Sequence, residues 1–272
     1  GTLTHISPEN DITLGVTRTY VSGGIKLDGK RQWELKDAAF LPAEGLLLTS
    51  KKDLWYTEGK GTDRWDQVMT FIVQGNFRPS NLQIFFEIGF NDHLHNLYEL
   101  RSHWDVSAAY LYGVRKKGLF GVKNIVFGVE YLDLIQRTFS DHRGTTASWF
   151  DEDLYKNNTY LGRRWSAHSG SDSDDFYLFL GYEGRNWTIL PAFNYERHGV
   201  VYHFPPEVKL ELRLSLIYRY NNWVFDLYYE NEYFENIGFV NSNDNVWLNN
   251  PILSSIRRTN TLIFKIQKNL FW

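Results

Sequence analysis

The feature that most constrains this chain is an alternation of apolar and polar residues over unusually long segments. In Val208–Tyr220 every second residue is aliphatic or aromatic, and Lys209, Glu211 and Arg213 lie between them. Leu82–Asp92 alternates in the same way. Successive side chains of a β-strand point to opposite faces, so each segment predicts a strand with one apolar and one polar face. Segments of about ten residues match a tilted membrane-crossing strand, whereas strands of soluble sandwiches are usually shorter.

Alternation of this kind recurs along the whole chain. The further segments are Asp11–Ser22, Trp65–Phe77, Trp104–Arg115, Lys123–Leu134, Asp174–Glu183, Asn186–Arg197, Asn222–Phe234 and Arg258–Trp272. They bring the total to about ten strands and leave little room for helices. We therefore predict an all-β fold, an antiparallel transmembrane β-barrel that forms a single domain over residues 1–272. The barrel is expected either to close with these strands or to be part of a larger one.

The composition supports a barrel and excludes several other classes of protein. Aromatic residues make up 17% of the chain, although its mean hydropathy is -0.41. An aromatic, apolar outer face averaged with a polar lumen gives this combination. A formal net charge of -3 argues against a nucleic-acid partner, and the absence of cysteine excludes disulfides and thiolate metal sites. Because the sequence starts at Gly1 without a signal peptide, we expect its N-terminus to be processed or truncated.

The connections between the predicted strands alternate in length. Tight turns follow Phe77, Glu183 and Arg219, and long polar segments lie between the turns. Outer-membrane barrels have short periplasmic turns and long external loops. The pattern therefore predicts a protein in the outer membrane of a diderm bacterium, with its long loops outside the cell. The final residues, NLFW, resemble the aromatic C-terminal signal of such barrels.

Several segments resemble, in order along the chain, the Wzi-like capsule assembly family. They are PENDITLGVTRTYVSGG (Pro8–Gly24), NLQIFFEIGFND (Asn81–Asp92), FGVEYLDL (Phe127–Leu134) and TYLGRRWSAHSGSDSDDFYLFLGY (Thr159–Tyr182). The resemblance implies an outer-membrane barrel lectin, without catalytic activity or a cofactor, that binds capsular or other exported polysaccharide. The implied partners are that polysaccharide, outer-membrane lipid and other envelope proteins. Since members of that family have about eighteen strands, the chain is expected to be their C-terminal portion or a shortened relative.

The segment WSAHSGSDSDD (Trp165–Asp175) is a candidate binding site. Sugar recognition requires aromatic rings against C–H faces and polar groups that bond hydroxyls, and this region supplies both. The predicted carbohydrate-binding residues are Trp149, Tyr160, Arg163, Arg164, Trp165, His168, Asp172 and Asp174. An equally supported interpretation is that the arginines and aspartates form ion pairs that tether a loop. Calcium binding by the aspartates is a weaker alternative, because no glycine-anchored loop with a closing acid follows.

Two other functions compete with polysaccharide binding. A barrel lipid hydrolase would use His168, but adjacent residues of a strand point to opposite faces, so His168 and Ser169 could not cooperate there. A passive or polysaccharide-export channel would require an open lumen. The spacing of His93 and His95 is compatible with a metal, yet polar loops commonly contain histidine, and no metal site is predicted.

The second face of the predicted strands carries charges of both signs. We expect ion pairs in the barrel interior that involve Glu87, Glu130, Glu211, Arg213, Asp226 and Glu230. A conducting pore favours one sign of charge, whereas paired opposite charges fill a lumen. The pattern favours a packed, ion-paired interior over an open porin.

Overall fold

The fold is all-β. The computed structural model describes residues 2–7, 9–22, 65–91, 108–135, 159–160, 163–164, 169–170, 172–201, 205–239 and 256–268. Its strands are β1 (Thr2–Ser7), β2 (Asn10–Ser22), β3 (Trp65–Phe77), β4 (Leu82–Asn91), β5 (Ala108–Leu119), β6 (Val122–Asp133), β7 (Thr159–Tyr160), β8 (Arg163–Arg164), β9 (Ser173–Glu183), β10 (Trp187–His198), β11 (Glu207–Tyr220), β12 (Trp223–Glu235) and β13 (Arg257–Lys268). Two short 3-10 turns, Arg78–Ser80 and Ile237–Phe239, accompany them.

Eleven of the strands form one antiparallel sheet. Each strand pairs with its neighbours in the chain, in the order β1-β2-β3-β4-β5-β6-β9-β10-β11-β12-β13. The short β7–β8 hairpin forms a separate sheet within the connection between β6 and β9. Among the described residues no pairing joins β1 to β13, so these two strands are the ends of the sheet. The all-β, antiparallel prediction is confirmed, and closure into a barrel stays a prediction.

The predicted strands all occur, and β1 and the short strands β7 and β8 occur in addition. The end of β5 differs from the prediction, since the strand extends to Leu119, four residues beyond Arg115. Gly118 and Gly121 adopt φ of 84° and 78° there, a conformation that glycine reaches without a steric cost. Strand β1 was not predicted, because its six residues are too few for a clear alternation.

Antiparallel order places all the short turns at one end of the sheet, which we call the short-turn end. The β1–β2, β3–β4, β5–β6, β9–β10 and β11–β12 connections lie there. The opposite end, the long-connection end, receives the segments after β2, β4, β6, β10 and β12. The predicted alternation in connection length is thereby confirmed. The described residues contain no helix with the length and apolar character needed to cross a bilayer.

Register divides the strand side chains into two faces of opposite character. Tyr177 lies opposite both Glu130 and Asn194, and Asn194 lies opposite Glu211. This polar face contains most of the buried polar strand residues, which are Asp11, Ser173, Asp175, Thr188, Asn194, Glu196 and Glu211. The other, apolar face contains the large exposed hydrophobic residues Leu14, Val16, Phe71, Val73, Ile84, Tyr112, Leu180, Tyr182, Trp187, Ile189, Leu212, Tyr220, Trp223, Tyr229, Leu262, Phe264 and Ile266. Apart from the edge strand β13, which is exposed on both faces, the polar side of the described sheet is therefore the more buried one.

Candidate functional site on the polar face

A network of buried charges covers the polar face of β10 to β12 toward the long-connection end. Its centre is Lys209, whose Nζ lies 3.2 Å from Glu196 Oε1 and 3.8 Å from Glu232 Oε2, and which also pairs with Glu211. Glu196 and Glu211 are each only 2% exposed. Carboxylates buried to this degree need a paired cation and hydrogen bonds to offset the loss of water. Lys209 supplies that cation to both of them.

Arg213 extends the network one step along β11. Its Nε donates to Glu230 Oε2 at 3.0 Å, and its other guanidinium nitrogen pairs with Glu211. The Tyr228 hydroxyl donates to the same Glu230 oxygen at 2.5 Å. Each partner position follows from register, since Glu230 lies directly opposite Arg213 on β12. The short β11–β12 turn fixes that register and so places opposite charges together.

His198 closes the network where β10 ends. Its Nδ1 lies 2.8 Å from Glu207 Oε1, and its Nε2 lies 3.1 Å from Glu196 Oε2. Two ionised carboxylates accept hydrogen bonds from both ring nitrogens only if the ring carries two protons. Glu207 in turn accepts a hydrogen bond from the backbone N–H of Gly238 at 2.9 Å. The histidine therefore links β10, β11 and the 3-10 turn after β12.

One amide in this region lacks a full set of partners. Asn194 Nδ2 donates to Asp175 Oδ1 at 2.7 Å, while its Oδ1 is buried without a hydrogen-bond partner among the described residues. Nearby, carboxylate oxygens of Glu211, Glu230 and Glu232 lie within 4.8 Å of one another. Lys209, Arg213 and Arg257 pair with these three carboxylates, so each carboxylate already has a cationic partner.

Four of the six residues expected to form interior ion pairs are paired on the polar face, and closure of that face into a barrel interior stays a prediction. Glu211, Arg213 and Glu230 form the network just described, and Glu130 accepts a hydrogen bond from Arg115 at 2.6 Å. Glu87 and Asp226 also lie on the polar face, but neither forms an ion pair within the described residues. The register explains Glu87, which lies between the apolar Ile72 and Leu111. Asp226 lies opposite Ile217 on one side and Lys265 on the other.

The sequence did not single out the β10 part of the network. Glu196, His198 and Asn194 alternate along this strand, which was the signal available. Glu207, the partner of His198 on β11, is brought opposite it by the connection between β10 and β11. The length of that connection does not determine which residues of β10 and β11 lie opposite each other.

The predicted carbohydrate-binding residues fall into three groups. Trp149, Trp165 and His168 lie outside the described residues. Tyr160, Arg163 and Arg164 belong to the β7–β8 hairpin, in which Tyr160 pairs with Arg163 and Thr159 pairs with Arg164. Asp172 and Asp174 are described in full, and each is 4% exposed.

Asp172 and Asp174 hold the start of β9 against the end of β10. The carboxylate of Asp172 accepts a hydrogen bond from the Val201 N–H at 2.9 Å, and its carbonyl accepts from Gly199 N–H at 2.8 Å. Asp174 is paired with Arg197, whose Nε donates to it at 2.8 Å. These contacts are those expected of a loop tether. A sugar-binding role for the same two residues stays a prediction.

Comparisons with known proteins do not assign the chain to a family. No protein-family model matches the chain, and no curated protein is significantly similar to it.

Proposed function

We propose that the chain forms the membrane-spanning sheet of an outer-membrane β-barrel that binds capsular or other surface polysaccharide and helps to anchor or assemble it at the cell surface. The observation that carries the proposal is the reversed polarity of the sheet. Its exposed side is apolar and its buried side is charged, which is the arrangement that a lipid environment requires.

The apolar face is too extensive to be stable in water. Leu262, Phe264 and Leu212 are 68%, 61% and 58% exposed, and similar residues continue across the strands from β2 to β13. Monomeric soluble proteins seldom expose contiguous apolar patches above a few hundred Å². Each Å² of apolar surface removed from water contributes about 25 cal/mol. Acyl chains would cover this face and provide that stabilisation.

A barrel also accounts for the backbone pairing. Every strand from β2 to β12 is paired on both sides within the main sheet, apart from the β7–β8 hairpin. Hydrocarbon offers no hydrogen bonds to an open edge, so β1 and β13 must also be paired, with each other or with further strands. Both versions of the predicted barrel, a small closed one and a portion of a larger one, meet this requirement.

Polysaccharide binding is supported by the chemistry of the interior and by the resemblance to the Wzi-like family. The buried ion pairs of Lys209 and Arg213 occupy the polar face and favour a filled interior over a conducting pore. The long polar connections begin and end at one end of the sheet, where the resemblance places the sugar-binding surface.

Co-sedimentation tests this function directly. Lipid vesicles containing the complete protein would be pelleted in the presence of purified acidic capsular polysaccharide, with protein-free vesicles as the control. We expect polysaccharide to pellet only with the protein-containing vesicles, and to be released by excess soluble polysaccharide. Equal amounts of polysaccharide in the two pellets would contradict the proposal.

A further inference from the structure

A cavity of about 580 Å³ opens on the polar face at the short-turn end, away from the buried charge network. Side chains of β3 to β6 and β9 line it together with the Arg78–Ser80 turn. Pockets for small organic ligands have volumes of about 300–1,000 Å³. A cavity of this size accommodates about two or three sugar units.

An aromatic ring forms part of the cavity wall and lies across a glycine. Phe179 is directly opposite Gly128 in the ladder between β6 and β9. A Cβ placed on Gly128 would come within 2.1 Å of Phe179 Cε1 and 2.4 Å of Phe179 Cζ. The ring thus occupies the space that any other residue would fill and lies along the sheet. Because Phe179 also lines the cavity, its ring can stack on the C–H face of a sugar bound there.

Hydrogen-bonding groups line the same cavity. Gln83 Nε2 donates to Asn76 Oδ1 at 3.0 Å, which fixes the two amides side by side. Lys117 Nζ and Glu183 Oε2 lie 3.1 Å apart, and these side chains are 46% and 41% exposed. An exposed pair of this kind is weakly held, so its members remain able to bond a ligand.

The charge of the lining is predominantly positive. Four cationic side chains contribute to it, against the single carboxylate of Glu183: Arg78, Arg115, Lys116 and Lys117. Arg78 and Arg115 are paired with Asp11 and Glu130, at 2.5 and 2.6 Å. Their side chains are nevertheless 61% and 53% exposed, so both guanidinium groups are accessible to solvent. Guanidinium groups bind carboxylates in a bidentate geometry.

We propose that this cavity binds an acidic saccharide segment, with Phe179 stacking on a sugar ring and with Arg115 and Lys117 binding its carboxylates. This proposal rests on the polysaccharide-binding function and adds a site on the polar face, distinct from the loop residues around Trp165–Asp175. It also specifies the ligand as a polysaccharide that contains uronic acids.

Isothermal titration of the complete protein in nanodiscs tests the site, with trigalacturonate as the acidic probe and maltotriose as its neutral counterpart. We expect trigalacturonate to bind at least about tenfold more tightly than maltotriose, because the carboxylates gain charge-assisted bonds. Phe179→Ala removes the stacking surface and should weaken trigalacturonate binding about tenfold. Phe179→Tyr keeps the ring and should retain the affinity, which separates loss of stacking from a folding defect.

Lys117→Gln tests the contribution of charge. It should weaken trigalacturonate binding about threefold to tenfold and leave maltotriose binding unchanged. Lys265→Gln is the matched control, because Lys265 lies on the polar face of β13 and is not among the residues that line the cavity. That variant should bind both probes as the unaltered chain does.

The outcomes separate this site from the general function. Vesicles that retain capsular polysaccharide, combined with no trigalacturonate binding or with unchanged binding in Phe179→Ala, would overturn the cavity and leave polysaccharide binding in place. Failure of the vesicles to retain polysaccharide, together with no binding of trigalacturonate, would overturn both proposals.

Discussion

The two ends of the polar face use lysine–glutamate pairs in different surroundings. At the long-connection end, Lys209 is 15% exposed and its partners Glu196 and Glu211 are 2% exposed. At the short-turn end, Lys117 and Glu183 are each more than 40% exposed. Buried charges stay paired because separation would leave an ion without water, whereas exposed charges exchange partners readily. The first pair therefore holds strands together, and the second remains available to a ligand.

The largest loss of stability is expected when the buried cation, Lys209, is removed. Lys209→Met leaves Glu196 and Glu211 buried without their shared partner, and should lower the free energy of unfolding by about 3–5 kcal/mol. Lys117→Met is the matched control and should lower it by less than about 1 kcal/mol. Urea unfolding in detergent micelles, followed by tryptophan fluorescence, measures both values. Equal losses in the two variants would show that burial does not distinguish the two ends.

A smaller loss of stability should follow when the Phe179 ring at the short-turn end is displaced by a larger residue at position 128. In Gly128→Ala the new Cβ would overlap the Phe179 ring, which must move away from the sheet; we expect a loss of about 1–3 kcal/mol in unfolding free energy. Gly15→Ala is the control, since its Cβ would lie at an ordinary 3.4 Å from Ile72 Cβ. Unchanged stability in Gly128→Ala would contradict the packing of Phe179 on Gly128.

The smallest effect should follow loss of a partly exposed pair at the border of the buried network. Arg257 lies 3.3 Å from Glu232 and its side chain is 57% exposed. Arg257→Gln should change the unfolding free energy by less than about 1 kcal/mol, and the change should vanish at high salt, where exposed pairs are screened. A loss as large as that of Lys209→Met would mean that the network is one cooperative unit reaching the sheet edge.

Much of the fold was predictable from the sequence because alternation with a period of two is a local property. It predicted the long strands of the main sheet and the division of their side chains into two faces. Because a short turn joins β11 and β12, the register of these strands, and with it the Arg213–Glu230 pairing, could also be predicted. The His198–Glu207 contact could not be predicted, because residues 199–206 separate β10 from β11 and do not determine which residues of the two strands lie opposite each other. Asp172 illustrates a different limit. The composition of the surrounding segment suggested that Asp172 binds a ligand. Its backbone φ of 51° and the hydrogen bonds that it accepts from backbone N–H groups instead make it part of a turn.

The central claim is that the apolar face contacts lipid while the polar face does not. The chain has no cysteine, so single cysteines at Leu212 and Ser215, on the apolar and polar faces of β11, can each carry a nitroxide label. Electron paramagnetic resonance of the two labelled proteins in lipid vesicles would compare relaxation by oxygen, which enters the bilayer, with relaxation by a water-soluble nickel chelate. We predict that oxygen relaxes the label more strongly than nickel does at Leu212→Cys, and that this difference is lost at Ser215→Cys. Strong relaxation by nickel at Leu212→Cys would contradict the membrane-spanning sheet.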